Sequence, residues 1–319
     1  MLKTPDRVDP AFRADVLAGL AEPIPSIPAR WLYDLRGSEL FDDITRLDTY
    51  YPTRTETALL KAKMPEIAAL ACHDCAIVEF GSGSSTKTPL LLEAMRPRAY
   101  VPIDISGDYL RDSAARVDAQ FSGLAVHPVE ADFTREVELP SAIDGLPRLG
   151  FFPGSTIGNF VPRSATDLLR HFRDILGVGS KLLIGMDRVK PVERLIAAYD
   201  DPHGVTAEFN LNLLERINRE LRADIDIAAF EHHALWHDMN GRVEMHLVAT
   251  RDTSFTIDGH RFAFARGESV HTENSHKYER RGARLLLLAG GWTPIAEWAD
   301  EAEDFAIVLA EAQPNRFAP

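Results

Sequence analysis

A glycine-rich turn after an apolar strand is the part of the chain whose residues most clearly suit ligand binding. The apolar run 76–80 is followed by Gly81 and Gly83, and Thr86 and Lys87 then open an amphipathic segment. Glycines let the backbone approach a ligand closely, and the free amide groups of the following helix face outward from the sheet. The pattern predicts a nucleoside or nucleotide site, with an ordinary glycine-rich turn as the alternative.

The spacing argues against two familiar nucleotide sites. A dinucleotide fold wants a third glycine three residues after Gly83, and that position is Thr86. A triphosphate loop would need a glycine directly before Lys87, which is absent. The short E-x-G-x-G turn instead resembles motif I of class I S-adenosylmethionine-dependent methyltransferases.

Two later strand ends also carry polar or aromatic residues. The apolar run 99–104 ends on Asp104, and a carboxylate at this place suits a ribose diol. The run 124–130 is followed by Asp132 and Phe133, a carboxylate and a ring that could accept from an adenine amino group and cover its face. Ligands of open α/β sheets bind at the carboxyl ends of strands, so the three places together favour a nucleoside.

Alternating strand and helix patterns predict an α/β fold with a doubly wound, mostly parallel sheet. The expected strands of this part are 76–80, 99–104, 124–130, 149–153 and 180–186, and the expected helices are 87–95, 107–120 and 164–176. Helices at 192–198 and 208–221 follow, then an antiparallel pattern over 229–264 with a hairpin turn at Asp258-Gly259, a helix near 276–289, and strands 293–298 and 305–310.

This order predicts two domains. Residues 55–190 and 276–319 would form the nucleoside-binding domain, and residues 1–54 and 191–275 an α+β domain that binds the substrate as a lid.

Composition excludes several classes of protein. The 319 residues carry a net charge of −13 and no long basic cluster, so a nucleic-acid partner is not expected. The absence of a long apolar run predicts neither a signal peptide nor a membrane span, and a cytoplasmic monomer is the default. Cys72 and Cys75 form a C-x-x-C without a second cysteine pair, which favours a structural role and no metal.

Three further clusters suit an amino acid substrate. Tyr50 lies in a segment that two tyrosines and a proline make rigid and amphipathic, although this cluster taken alone favours a core tyrosine. In the segment 152–160, Gly154 offers a close backbone carbonyl and Asn159 offers a donor and an acceptor for an ammonium and a carboxylate. Glu273 and Ser275 point to one face of an extended segment and could bind both nitrogens of an imidazole.

The motifs together resemble the histidine-specific methyltransferase family. They run in order along about 31–309 and comprise Tyr50-Tyr-Pro-Thr-Arg54, Glu79-Phe-Gly-Ser-Gly-Ser, Gly154-Ser-Thr-Ile-Gly-Asn159, Ala198-Tyr-Asp-Asp-Pro202 and Thr272-Glu-Asn-Ser-His-Lys-Tyr278. The resemblance implies a class I fold of seven strands with the last antiparallel, S-adenosylmethionine as methyl donor and no metal. It also implies trimethylation of the α-amino group of L-histidine to hercynine, a step of ergothioneine biosynthesis.

The resemblance also implies roles for individual residues. Its cofactor contacts fall on Gly81, Lys87, Asp104, Asp132 and Phe133. Its substrate contacts fall on Tyr50, Asn159, Tyr199, Met245, Glu273 and Ser275, beside the backbone of Gly154. Asn159 and Tyr33 are the candidates for accepting the amine proton.

Two alternatives remain open at this point. One is the same chemistry on another aromatic amino acid, since a related branch methylates a prenylated tryptophan. Against indole carbon, a buried Glu273 would stay unpaired at a cost of about 1–3 kcal/mol, which favours histidine. The other is a non-catalytic nucleoside-binding homologue, which would not need Asn159, Tyr199 and Glu273 together.

Overall fold

A computed structural model of the protein describes residues 9–83 and 85–314. Contacts divide the chain into two compact units. Among the described residues, the sheet unit runs from Tyr51 to Lys190 and resumes at His276. The insertion unit comprises residues 9–50 and the segment Pro191–Ser275.

The helices are α1 (Pro10–Leu20), α2 (Leu35–Arg46), α3 (Tyr51–Leu70), α4 (Thr88–Met95), α5 (Gly107–Gln120), α6 (Pro162–Leu176), α7 (Val192–Tyr199), α8 (Val205–Leu221) and α9 (Arg280–Ala289). The strands are β1 (Ala76–Phe80), β2 (Ala99–Asp104), β3 (Ala125–Val126), β4 (Val129–Glu130), β5 (Arg148–Phe152), β6 (Lys181–Asp187), β7 (Phe230–His237), β8 (Arg242–Ala249), β9 (Thr253–Ile257), β10 (His260–Phe264), β11 (Ser269–His276), β12 (Trp292–Ala299) and β13 (Phe305–Ala312). No helix among the described residues combines the length and the apolar character needed to cross a bilayer. The first boundary between the units precedes the predicted 54/55 because α3 begins at Tyr51.

The sheet unit is built on one large sheet of strand order β12-β13-β6-β5-β1-β2-β3, with β4 also pairing with β2. β1 pairs in parallel with β2 and β5, and β5 pairs in parallel with β6. β13 is antiparallel to both of its neighbours, β6 and β12. The mostly parallel, doubly wound sheet with an antiparallel last strand is therefore confirmed.

The sheet is covered on both faces, which explains the continuous apolar runs of its inner strands. All five residues of β1 are buried. Ile77 packs into the core on one face, while Val78 and Phe80 pack into the core on the other. The Phe80 ring stacks on Phe172 of α6 with centroids 3.7 Å apart. Strand β1 is thus packed on both of its faces.

Two predicted elements were wrong in detail. The expected strand 124–130 is two short strands, β3 and β4, because Pro128 lies between them and has no N–H to donate to β2. The expected helix near 276–289 begins only at Arg280, since the preceding residues through His276 belong to β11 and Tyr278 forms a bridge with Arg188.

The insertion unit combines helices with a three-stranded sheet of order β11-β8-β7 and the hairpin β9–β10. The hairpin turn lies at Asp258 and Gly259 as expected, and both have positive φ, 48° and 80°. Asp34 caps α2 by accepting from the Gly37 amide at 2.8 Å, and it also accepts from Asn212 of α8 at 2.8 Å. One carboxylate therefore joins the two helices.

Candidate active site

The turn between β1 and α4 is hydrogen-bonded to the end of β2. Gly81 and Gly83 have φ of 71° and 48°, conformations that favour glycine. The Gly81 amide donates to the Ile103 carbonyl at 2.9 Å. Asp104 accepts from the amides of Gly83 and Ser106, each at 2.9 Å. Two predicted cofactor residues, Gly81 and Asp104, therefore lie at the same turn.

The surroundings of this turn fit a polar ligand. A Cβ placed on Gly83 would meet nothing within 4 Å, whereas one on Gly81 would lie 3.3 Å from the Phe133 ring. The Ser82 hydroxyl is buried and has no hydrogen-bond partner among the described residues. Burial raises the pKa of Asp104, although the hydrogen bonds that backbone amides donate to its carboxylate partly offset this effect. An unpaired hydroxyl beside an open glycine turn is consistent with a nucleoside site.

Asp132 and Phe133 follow β4 at the same carboxyl edge. The Phe133 ring packs edge-on against Phe152, with centroids 5.7 Å apart. One oxygen of Asp132 accepts from the amide and the hydroxyl of Thr134, at 2.9 and 2.6 Å. This carboxylate is therefore already oriented by its own turn, with the ring beside Gly81.

Glu79 is fully buried and anchors the turn from below. Its carboxylate accepts from the Thr88 hydroxyl at 2.7 Å and from the Tyr100 hydroxyl. Burial raises the pKa of Glu79 to about 7, and these two hydrogen bonds oppose the shift. Glu79 thus ties β1 to β2 and to the start of α4.

A buried carboxylate that the sequence interpretation did not assign, Glu56 of α3, holds two predicted site residues. Its side chain is 1% exposed and forms an ion pair with Lys87, whose side chain is 12% exposed. It also accepts from the Gly154 amide at 2.8 and 3.1 Å. A Cβ on Gly185 would lie 2.0 Å from Glu56 Oε1, so only glycine leaves room for this carboxylate. The available signal was its position on the apolar stripe of α3, four residues after the buried Pro52.

A second buried ionic cluster was also missed. Asp187, at the end of β6, contacts the ammonium groups of Lys190 and Lys277 and accepts from the Tyr51 hydroxyl at 2.7 Å. Burial alone would raise the pKa of Asp187, but the charges of Lys277 and Lys190 hold it below its ordinary value. The Asp187 amide donates to the Ser155 hydroxyl at 2.8 Å. The end of β6 therefore fixes the start of the predicted substrate turn.

Asn159 ends a short 3-10 turn, Thr156–Asn159, and is half-buried. The preceding Gly158 packs against the backbone of His276, and its carbonyl lies 2.8 Å from His276 Nδ1. A Cβ on Gly158 would lie only 2.8 Å from the His276 carbonyl oxygen. The position of Asn159 thus depends on a close backbone contact.

The predicted imidazole-binding residues lie on β11 and each has a tyrosine partner. Glu273 is 7% exposed, and Tyr33 donates to its Oε1 at 3.5 Å. Ser275 is 4% exposed, and its hydroxyl lies 2.7 Å from the Tyr199 hydroxyl. A carboxylate and a hydroxyl are thus buried two residues apart within the insertion unit.

Aromatic rings surround these groups. Tyr33 packs edge-on against Phe41 and Phe209, with centroids 5.5 and 5.4 Å apart. Tyr50 packs edge-on against Phe41 and Tyr199, with centroids 6.2 and 6.1 Å apart. These five rings, the aromatic cluster, bring together the predicted Tyr33, Tyr50 and Tyr199.

The neighbouring strand β8 carries Met245, which is 2% exposed, and Thr272 of β11 donates to its carbonyl at 3.1 Å. β8 also carries Glu244, another buried carboxylate, which pairs with Arg242 and with His246. Burial alone would raise the pKa of Glu244, but the hydrogen bonds from His246 and Arg242 lower it below its ordinary value. The Glu244 carboxylate therefore has charged partners on its own strand, whereas a described partner of Glu273 is the Tyr33 hydroxyl.

Within residues 9–83 and 85–314, no group of three or more His, Cys, Asp or Glu side chains is placed to hold a metal ion. His271 lies 3.0 Å from the Asn274 side-chain oxygen, so it has a structural partner.

Known proteins resemble this chain over nearly its full length. Residues 12–312 match the family model described as histidine-specific methyltransferase, SAM-dependent. The histidine N-alpha-methyltransferase of Mycobacterium tuberculosis is 42% identical, with 94% of each chain covered. The enzyme of the same name from Mycolicibacterium smegmatis is 42% identical, with 96% of each covered. Ergothioneine biosynthesis protein 1 of Neurospora crassa is 29% identical over 90% of this chain and 33% of its own length. The chain belongs to the family of histidine-specific, S-adenosylmethionine-dependent methyltransferases.

Proposed function

We propose that this protein transfers methyl groups from S-adenosylmethionine to the α-amino nitrogen of L-histidine, three times in succession, to give hercynine for ergothioneine biosynthesis. The observation that carries the proposal is the pair Glu273 and Ser275, buried on β11 among tyrosines. The names of the similar proteins support the same substrate and pathway.

Recognition of the imidazole follows from hydrogen-bond chemistry. An imidazole presents one N–H donor and one acceptor nitrogen. The Glu273 carboxylate would accept from the N–H, and the Ser275 hydroxyl would donate to the other nitrogen. The apolar Met245 and the Tyr50 ring would limit the size of the pocket. Neutral indole carbon offers no donor to Glu273, so histidine is favoured over tryptophan derivatives.

The amino acid backbone needs different partners. Asn159 supplies an amide donor and acceptor, Gly154 a backbone carbonyl and Tyr199 a hydroxyl, which suit a carboxylate and an amine. Glu56 fixes Gly154 through its amide, and Gly158 fixes the turn that carries Asn159. Alignment of this kind is the main contribution an enzyme makes to such a displacement.

Residues of the sheet unit would hold the methyl donor. Gly81 allows close approach of the backbone, Asp104 offers its carboxylate to a ribose, and Asp132 and Phe133 would contact the adenine. Lys87, paired with Glu56, adds a cation at the start of α4. When bound, the donor supplies an electrophilic methyl group on a sulfonium sulfur.

A protonated amine has no lone pair with which to form a C–N bond. The amine must therefore lose one proton before each of the three transfers. An α-amino group is mostly protonated at pH 7, so the site must favour its neutral form. Tyr33 and Asn159 are the proposed groups in contact with the amine, passing its proton to water. The rings of the aromatic cluster would stabilise the growing fixed positive charge through cation–π contact.

The test is mass spectrometry of the purified protein incubated with S-adenosylmethionine and each of histidine, tryptophan, tyrosine and histamine. We expect three methyl additions on histidine and none on histamine, which lacks the carboxylate. Glu273→Gln should lower kcat/KM for histidine by about 10–150-fold, the value of one charged hydrogen bond. Glu244→Gln is the matched control, because it removes an equally buried carboxylate from the neighbouring strand, and it should leave substrate choice unchanged.

Methylation of tryptophan or tyrosine instead of histidine would assign another aromatic amino acid as substrate. Binding of the donor without methylation of any of these compounds would support the non-catalytic alternative. Equal losses of donor binding and histidine turnover in Glu273→Gln would contradict the role given to Glu273. The monomeric state and the cytoplasmic location stay predictions.

A further inference from the structure

The only two cysteines of the chain, Cys72 and Cys75, lie in the short loop between α3 and β1. Cys72 is half-buried and Cys75 is 1% exposed. The Cys75 thiol lies 3.6 Å from the Cys72 carbonyl oxygen. The loop between them is tight, with Asp74 at a φ of 50°. The loop therefore brings the Cys75 sulfur back against the backbone of Cys72 in the reduced protein.

The surroundings distinguish the two thiols. The Cys75 thiol is the main cause of the lowered pKa of Cys72, and the Lys181 ammonium lowers this pKa further against the effect of burial. Lys181 donates to the carbonyls of Leu70 and Ala71, so it offsets the negative end of α3 beside the loop. The interaction with Cys72, followed by burial, raises the pKa of Cys75. Cys72 is thus the more exposed thiol with the lowered pKa, and Cys75 is the buried thiol with the raised pKa.

This loop lies away from the proposed methyl-donor turn. It precedes the first residue of β1, whereas Gly81 follows the last. Five residues of strand span about 17 Å, so the loop is at the opposite edge of the sheet. Methyl transfer gives no reason for a paired thiol at this place.

We propose that Cys72 and Cys75 form a redox-active dithiol that is reversibly oxidised to an intramolecular disulfide by small disulfides of the oxidised-glutathione type. Cys72, having released its proton to solvent, attacks one sulfur of the small disulfide and expels one thiolate. Cys75 then attacks the Cys72 sulfur, releases the second thiolate and gives up its own proton to the medium. Two protein thiols are oxidised, one small disulfide is reduced to two thiols, and the electrons balance.

The arrangement is the one that thiol–disulfide exchange requires. The attacking thiol must be partly ionised and exposed, and a second thiol must be close enough to resolve the mixed disulfide before it dissociates. A metal site is a poorer explanation, because the pair supplies only two ligands and no described third ligand completes a cluster.

The test is titration of the full-length protein with oxidised glutathione, followed by trypsin digestion without reduction and mass spectrometry of the peptide 64–87, which contains both cysteines. We expect this peptide to lose two hydrogen atoms and to regain them after dithiothreitol. Cys75→Ser should stop at a glutathione adduct on Cys72. Cys72→Ser should react at least about tenfold more slowly than the wild type, since only the shielded thiol remains.

A measurement on the wild type keeps the test independent of folding of the variants. Limited alkylation with iodoacetamide should label Cys72 before Cys75. Equal labelling of both, a wild-type protein that accumulates only the glutathione adduct, or no reaction with oxidised glutathione would each overturn the proposal.

Discussion

The buried ion pair of Glu56 and Lys87 makes the charge of Glu56 necessary for the stability of the sheet unit. Its carboxylate is 1% exposed and also accepts from the Gly154 amide. Glu56→Gln keeps the shape of the side chain against Gly185 and keeps an oxygen for the Gly154 amide, but it leaves the Lys87 ammonium without its counter-charge. Removing one partner of a buried pair costs about 3–5 kcal/mol.

The size of the expected effect follows from these contacts. Because Lys87 keeps 12% exposure and some hydration, we take the lower end, about 3 kcal/mol. In a domain of this size, each kcal/mol shifts the unfolding temperature by about 2–4 °C, so Glu56→Gln should lower it by about 6–12 °C. Glu56→Ala should lower it further, since the Gly154 amide then also loses its acceptor, at about 1–3 kcal/mol.

Differential scanning calorimetry without S-adenosylmethionine measures this shift. Glu66→Gln is the control, an exposed carboxylate on the same helix. The glutamine keeps an oxygen for the Trp298 indole N–H, so this substitution should change the unfolding temperature little. Adding Lys87→Met to Glu56→Gln should recover part of the loss, because no unpaired charge then remains buried. A Glu56→Gln shift no larger than that of Glu66→Gln, or a further loss in the double variant, would refute the reasoning.

Three other substitutions test the two units. Burial raises the pKa of Glu79 to about 7 from 4.5, so as the pH rises through this range the folded protein keeps the proton while the unfolded chain loses it. Wild-type stability should therefore fall by about 3 kcal/mol as the pH rises from 4.5 to 7. Urea unfolding of Glu79→Gln should lack this decline, and the same pH dependence in the variant would contradict the expectation. Gly158→Ala puts a Cβ 2.8 Å from the His276 carbonyl, so the turn bearing Asn159 must move and kcat/KM for histidine should fall by about 100-fold in steady-state kinetics; wild-type kinetics would show that the turn tolerates the methyl group. Tyr199→Phe should raise KM for histidine while calorimetric affinity for S-adenosylmethionine stays constant, and a matching loss of donor affinity would argue against its proposed substrate contact.

Much of the sheet unit could be predicted because its signals are local. An inner parallel strand is buried on both faces, so β1 appears as an unbroken apolar run, and its turn carries Gly81 and Gly83 because positive φ is required there. The division of the third strand into β3 and β4 was missed. Pro128 lacks the N–H that would continue the hydrogen bonding to β2, and this matters only once the strands are paired.

The sequence by itself determined the doubly wound sheet, the glycine turn and the placement of Glu273 and Ser275 on the same face of one strand. Each depends on spacing between near neighbours along the chain. Only the tertiary structure decided which charges are buried and what neutralises them. Glu56 meets Lys87 from 31 residues away and Gly154 from 98, and Tyr51 meets Asp187 from 136. A buried charge is tolerated only where such partners converge, and their convergence is a property of the folded chain rather than of any local pattern.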